Sequence, residues 1–139
     1  MRLLIGAATV ALLGFAGLRC QPRVRGKPGL VEVTVHLRCV GDTMQFAVSP
    51  WTAQLAQNDS IDWVLDPAGN ADSLLVAAKD TSRWPFANGL RFHGTRKTPA
   101  KGRRMKPGQQ GTYQYSITLA CTSTSVPRTV VIDPEMIIR

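Results

Sequence analysis

Leu30-Val-Glu-Val-Thr-Val-His-Leu-Arg38 alternates apolar and polar side chains without a break. Val31, Val33, Val35 and Leu37 fall on one side and Glu32, Thr34, His36 and Arg38 on the other, the period of two that marks a strand with one buried face. The same rhythm returns in Ser60 to Leu65, where Ile61, Trp63 and Leu65 share a face, and in Thr112 to Leu119, where Tyr113, Tyr115, Ile117 and Leu119 do. Between these runs Gly41-Asp42 marks a turn, Met44 to Val48 reads as a strand halted by Ser49-Pro50, and Thr52 to Ala56 as a short extended piece. Asn58-Asp59 supplies a tight turn, since both residues tolerate left-handed backbone. Ser73 to Ala78 and Arg128 to Ile132 read as further strands, the latter closing the chain before Asp133-Pro134. Trp63 continues an apolar stripe and is expected to anchor the core, and Trp84-Pro85-Phe86 forms an aromatic knot beside a turn. Short strands separated by turn signals at near-regular spacing predict an all-β fold, a single antiparallel β-sandwich.

With 139 residues the chain has room for one such domain, expected over residues 30–139. Its formal net charge is +8, unevenly distributed. Arg91, Arg96, Lys97, Lys101, Arg103, Arg104 and Lys106 fall within residues 91–106 without an acid among them, while Asp59, Asp62, Asp66, Asp72 and Asp80 cluster earlier. Residues 87–110 lack periodicity and contain Gly89, Gly94, Pro99, Gly102, Pro107 and Gly108, which predicts a long loop. Such a concentration of cations attracts anionic partners, and these seven residues are the candidate anion-binding set. The expected partner is an anionic component of the cell envelope or an acidic protein surface. Nucleic acid is disfavoured, because only Phe92 lies within the run to stack on bases.

Met1-Arg2 followed by an uncharged run from Leu3 to Leu18 resembles a secretory signal peptide, being shorter than the roughly 20 residues of a membrane span. Cleavage after Ala16 would place Gly14 and Ala16 at the small-residue positions. Residues 1–19 are thus expected to be a signal peptide or membrane anchor, and residues 20–29, rich in Pro, Gly and cations, a flexible linker. The expected location is exported: periplasm, cell surface or secreted. Cys20, just after the apolar run, is a lipidation candidate that would tether the protein to a membrane, although Arg19 stands where a lipobox needs a small residue. Against export stands the basic cluster Arg19, Arg23, Arg25 and Lys27, of the kind retained on the cytoplasmic side. Cys39 and Cys121, each at the end of an expected strand, are the disulfide candidate, with two separate buried thiols as the alternative.

Two segments taken together, Phe46-Ala-Val-Ser-Pro50 with Ala53-Gln-Leu-Ala-Gln-Asn-Asp-Ser-Ile-Asp-Trp63, and Gly111-Thr-Tyr-Gln-Tyr115, resemble the plastocyanin- and azurin-type cupredoxins over residues 30 to 133. The resemblance implies a Greek-key sandwich. It also implies where copper ligands would stand: a His shortly after the Trp63 position, a Cys two residues beyond the second Tyr, then a His and often a Met. Here Val-Leu-Asp-Pro-Ala-Gly-Asn-Ala-Asp follows Trp63, and Ile117 occupies the Cys position. Type 1 copper needs two imidazoles and a thiolate, and the chain has only His36 and His93. The reading is therefore a cupredoxin-like scaffold without copper, with no cofactor, no metal ligands and no catalytic residues. The alternative is a copper-binding electron carrier or chaperone with atypical ligands, such as His93, Met105 and Cys121, which no ligand spacing supports. No Gly-x-Ser-x-Gly elbow, Cys-x-x-Cys pair or phosphate-cradling glycine loop is present, so the expected function is noncatalytic binding or structural interaction.

Overall fold

Alternation in the sequence becomes pleat in the structure. A computed structural model describes residues 28–122 and 127–139; the expected leader, Cys20 and the linker up to Lys27 lie outside the described residues. The strands are β1 (Leu30–Val40), β2 (Thr43–Ser49), β3 (Thr52–Leu55), β4 (Ser60–Leu65) and β5 (Ser73–Ala78), followed by β6 (Arg91–Thr95), β7 (Ala100–Gly102), β8 (Gly111–Cys121), β9 (Arg128–Ile132) and β10 (Glu135–Ile138). No helix among the described residues is long and apolar enough to cross a membrane.

Two sheets pack face to face. The first has the order β2-β1-β4-β7, and the second β3-β10-β8-β5-β6, with β9 also paired to β8. The expectation of purely antiparallel pairing needs correction. β1 runs parallel to β4, from Leu30 opposite Ser60 to Val35 opposite Leu65, and β3 runs parallel to β10. The cause is a change of sheet at the end of β2. The chain leaves the first sheet through the cis Ser49–Pro50 peptide, forms β3 in the second, and so returns beside β1 in the same direction as β1.

Apolar faces of both sheets meet in one core. Val33, Val35 and Leu37 of β1 and Ile61 and Trp63 of β4 are inaccessible to solvent, as are Tyr115, Ile117 and Leu119 of β8 and Val76 of β5. Burial of each large side chain contributes roughly 2 kcal/mol before the entropy of ordering it. Aromatic rings occupy the centre. Trp63 stacks on Phe92 of β6 at 5.7 Å between centroids, meets Tyr115 edge-on at 5.5 Å and also touches Phe86, while Trp84 packs on Phe86 at 5.8 Å. The Trp84-Pro85-Phe86 knot therefore belongs to the core.

Residues 87–110 are not the structureless loop that their composition suggests. Within them lie β6 on the edge of the second sheet and β7 on the edge of the first, followed by an isolated bridge between Phe86 and Met105. Their inward positions carry Phe92, Gly94, Ala100 and Gly102. A Cβ on Gly94 would come within 2.8 Å of the Ala100 backbone nitrogen, and one on Gly102 within 2.7 Å of the Ile61 side chain. Glycine there is a requirement of close approach between the two sheet edges. β10 is likewise a strand that the Asp133-Pro134 break conceals; β9 and β10 share one side of β8, pairing with its second and first halves respectively.

Cys39 at the end of β1 and Cys121 at the end of β8 form a disulfide that joins the two sheets, with Cα atoms 6.6 Å apart. The chain-entropy model assigns roughly 4 kcal/mol to closing a loop of this length. Denaturant unfolding of the protein with and without reductant should show a loss of that order; equal midpoints would refute it.

The Tyr115 hydroxyl is buried and makes no hydrogen bond among the described residues. Burial pushes its ionisation up to about 12, opposed by the nearby Trp63 indole, which stays outside hydrogen-bond geometry. A buried hydroxyl without a partner costs free energy, so Tyr115→Phe should leave stability unchanged or raise it by about 1 kcal/mol. In ultraviolet titration the wild type should show one of its two tyrosines ionising near pH 12 only, and the variant should lose that step.

Candidate anion-binding edge

Eight of the nine acidic residues are engaged within the fold. Asp59 accepts from the Gly29 and Ala56 backbone amides at 2.6 and 2.9 Å, which fixes the turn before β4 and the start of β1. Asp66 accepts from the Ala68 amide at 2.8 Å and faces His36 Nδ1 at 3.0 Å. Asp72 accepts from the Thr122 hydroxyl at 2.8 Å, and Asp80 from Ser82 and the Arg83 amide. Asp62 pairs with Arg103, Asp42 with Arg128, and Asp133 with Lys79; Glu135 accepts from Thr52. The cations have no such complement. Residues 81–132 contain no acid at all.

Of the seven candidate cations, the structure fastens two. The Arg103 guanidinium pairs with the largely buried Asp62 and donates to the Ile61 carbonyl at 2.9 Å and the Gly102 carbonyl at 3.1 Å. Arg96 donates to the carbonyls of Ala71 at 2.9 Å and Gly69 at 3.2 Å. Both arginines hold the β6–β7 segment onto the sandwich. Neighbouring side chains complete the attachment. Asn88 donates to the Lys101 carbonyl and accepts from the Arg103 amide, and Asn70 exchanges two hydrogen bonds with the Cys39 backbone, extending the ladder of β1 beyond the end of β4.

Arg91, Lys97, Lys101 and Arg104 are exposed and form no ion pair among the described residues, and Lys106 is half-buried. Arg91 projects outward from β6, on the second sheet, and Lys101 outward from β7, on the first. Lys101 stands opposite Asp62 in the register, but Arg103 takes that carboxylate. Lys97 sits at the tip of a turn closed by a Thr95 amide to Thr98 carbonyl bond of 2.7 Å and by the Thr95 hydroxyl. Arg91, Lys97 and Lys101 thus bracket the seam where the two sheet edges meet, and Arg104 follows two residues after β7, its carbonyl accepting from the Ala87 amide. Sequence reasoning located this segment and its charge, but it did not separate the fasteners from the surplus. The fastening groups Asp62, Asn70 and Asn88 carry no local signal, because each acts on a group distant in the chain: Asp62 on the Arg103 guanidinium, Asn70 and Asn88 on backbone.

The other chemistry expected or weighed falls out differently. Cys121 is bonded to Cys39 and has no thiolate to offer, and His93 faces solvent on β6 while Met105 is buried, so the three do not form a ligand set. Among the described residues no three His, Cys, Asp or Glu side chains gather into a cluster. Ile117 lies in the core with no exposed surface. A cleft of about 410 Å³ opens beside Lys79, Arg83, Trp84 and Tyr113, lined by none of the residues 91–106; Lys79 there is held by Asp133, and Trp84 presents almost no exposed ring. No protein-family model matches the chain, and no curated protein sequence is significantly similar to it.

Removing Arg103 would leave Asp62 largely buried without its partner. Arg103→Ala should cost on the order of 2 kcal/mol in denaturant unfolding, less than a fully buried pair because the guanidinium retains some exposure, whereas Lys101→Ala should change stability by less than about 0.5 kcal/mol. Similar losses for both would contradict the division between fasteners and surplus cations.

Asp66 is held below the ordinary carboxylate range mainly by the Ala68 amide and then by His36, and Asp80 mainly by the Ser82 hydroxyl. A carboxyl depressed in the folded state stabilises it above the unfolded pKa and loses that contribution as pH falls through the folded value. Between pH 4 and pH 2, the Asp66→Asn, Asp80→Asn double variant should therefore lose less thermal stability than the wild type; parallel declines would exclude this contribution.

Proposed function

We propose that this chain is a noncatalytic, exported binding protein on a cupredoxin-like scaffold, which uses the β6–β7 edge to hold an anionic component of the cell envelope. One observation carries the reading: Arg91, Lys97, Lys101 and Arg104 lie exposed around one seam of the sandwich, without acidic partners among the described residues, while almost every carboxylate is engaged elsewhere. The surrounding rigidity supports it. The edge is pinned by Arg96, Arg103 and Asn88, so binding need not order a loop, and less entropy is lost on association. Export is supported by the Cys39–Cys121 disulfide, a bond that persists in oxidising compartments. The cupredoxin-like reading draws on the sequence pattern around Pro50, the Asn58-Asp59 turn, Trp63 and Gly111–Tyr115, and is supported by strands β2, β4 and β8 over those segments. Greek-key connectivity and a membrane tether through Cys20 belong to the same proposal.

The test is binding of the purified protein to a sulfated polysaccharide and, separately, to vesicles containing anionic lipid, each across a salt series. Replacing Arg91, Lys97, Lys101 and Arg104 together by Ser should weaken binding on the order of a hundredfold at low salt and flatten its salt dependence, with the unfolding midpoint unchanged. The polymer and vesicle arms distinguish a saccharide from a headgroup as the source of charge. Absence of salt-sensitive binding in both arms would refute the proposal.

A further inference from the structure

β2, an outer strand of the first sheet, is seven residues long and carries no charge: Thr43-Met-Gln-Phe-Ala-Val-Ser49. Exposed uncharged edges are rare in stable monomers, because their free amides and carbonyls pair with any strand that approaches. Phe46 is 48% and Met44 36% exposed, although in register they lie opposite the buried Leu37 and Cys39. They are on the core side of the sheet but overhang its end.

The direction of the free backbone groups follows from the turn. Gly41-Asp42 is a two-residue loop with Gly41 at φ +53, and Val40 lies opposite Thr43. Such a loop is closed by a pair that exchanges both hydrogen bonds, and in an antiparallel ladder bonded and non-bonded pairs alternate. Counting from Thr43, the residues whose amide and carbonyl point away from β1 are Met44, Phe46 and Val48. Those are also the residues whose side chains lie on the core side.

The strand is close to a palindrome about Phe46. Hydroxyl residues Thr43 and Ser49 stand at its ends, apolar Met44 and Val48 come next, and uncharged Gln45 and Ala47 flank the centre. A two-fold axis through Phe46 therefore pairs like with like. From this coincidence of register, hydrogen-bond direction and symmetry we infer that a second copy of this chain occupies the β2 edge, forming an antiparallel dimer in which Phe46 packs on its counterpart and Met44 on the counterpart of Val48. Charge favours this edge over β6, β7 and β9: in a chain of net charge +8, β2 brings two copies together without opposing cations, whereas β6 carries Arg91, β7 Lys101 and β9 Arg128. The uncharged β3 edge is only four residues long, against seven for β2. Six interchain hydrogen bonds result, two at each of three pairs, and the first sheets of both copies join into one. The contact lies at the small end of specific interfaces, so the dissociation constant should be on the order of tens of micromolar.

Sedimentation of the full chain over a concentration series is the test, combined with amide hydrogen exchange. Dimer should form with rising concentration, and exchange at Met44, Phe46 and Val48 should slow in step, while Gln45 and Ala47, already bonded to β1, stay unchanged. Phe46→Lys, which sets two charges against each other at the axis, should abolish the dimer without altering the unfolding midpoint, and Val131→Lys, an exposed apolar site on β9, should leave it intact. A monomer at every concentration would overturn the inference, whether its β2 amides exchange freely or are protected by another part of the chain. A dimer that survives Phe46→Lys, or that protects amides elsewhere, would overturn it equally.

Discussion

Contact of Trp63 with Phe92 and Tyr115 is the constraint on which the remaining structure depends. Trp63 belongs to the first sheet, Tyr115 to the second, and Phe92 to the edge strand β6, beside Arg91. One indole ring thereby fixes the distance between the sheets and the position of β6. The geometry is the offset and edge-on packing that aromatic quadrupoles favour. Close packing has a polar cost as well. The Trp63 and Trp84 indole nitrogens and the Tyr115 hydroxyl sit in the core without partners among the described residues, tolerated because the rings around them bury so much apolar surface.

Charge is arranged on a second principle. Carboxylates in this protein tie turns and strand ends to backbone amides, which uses a short, strongly accepting side chain where a loop must be held. Asp59, Asp66 and Asp80 all act in this way. Arginine performs the reciprocal task at Arg96 and Arg103, where a planar fork reaches several carbonyls at once. With the acids so engaged, the cations that remain are those which no carboxylate among the described residues neutralises. A positive edge is thus the residue of how the loops are locked.

The outline of the sandwich was legible wherever buried positions are filled by large apolar residues. β1, β4 and β8 announce themselves through Val33, Trp63 and Tyr115 and their alternating neighbours. β6 and β7 did not, because their inward positions hold Gly94, Ala100 and Gly102, whose smallness serves contact between sheet edges and removes the hydrophobic rhythm by which strands are recognised. β10 follows Asp133-Pro134, a break that ends one ladder and starts another on the same side of β8. Parallel pairing was hidden too, since alternation specifies faces and not directions. At the candidate site the cations were evident from composition, but Arg103 and Arg96 look like the others until their distant carbonyl partners are in view.

Asn88 holds the β6–β7 segment through both ends of its side-chain amide, and it is followed by Gly89. Asparagine before glycine is the arrangement in which the next backbone nitrogen most readily attacks the side-chain carbonyl, because no Cβ obstructs ring closure. While the two hydrogen bonds persist, the carbonyl is held toward Arg103 and the reaction is slow. Each transient opening exposes it, and the product is an acid where an amide had donated to Lys101. Ageing of the molecule would therefore begin at this clasp, planting a permanent negative charge inside its most cationic region.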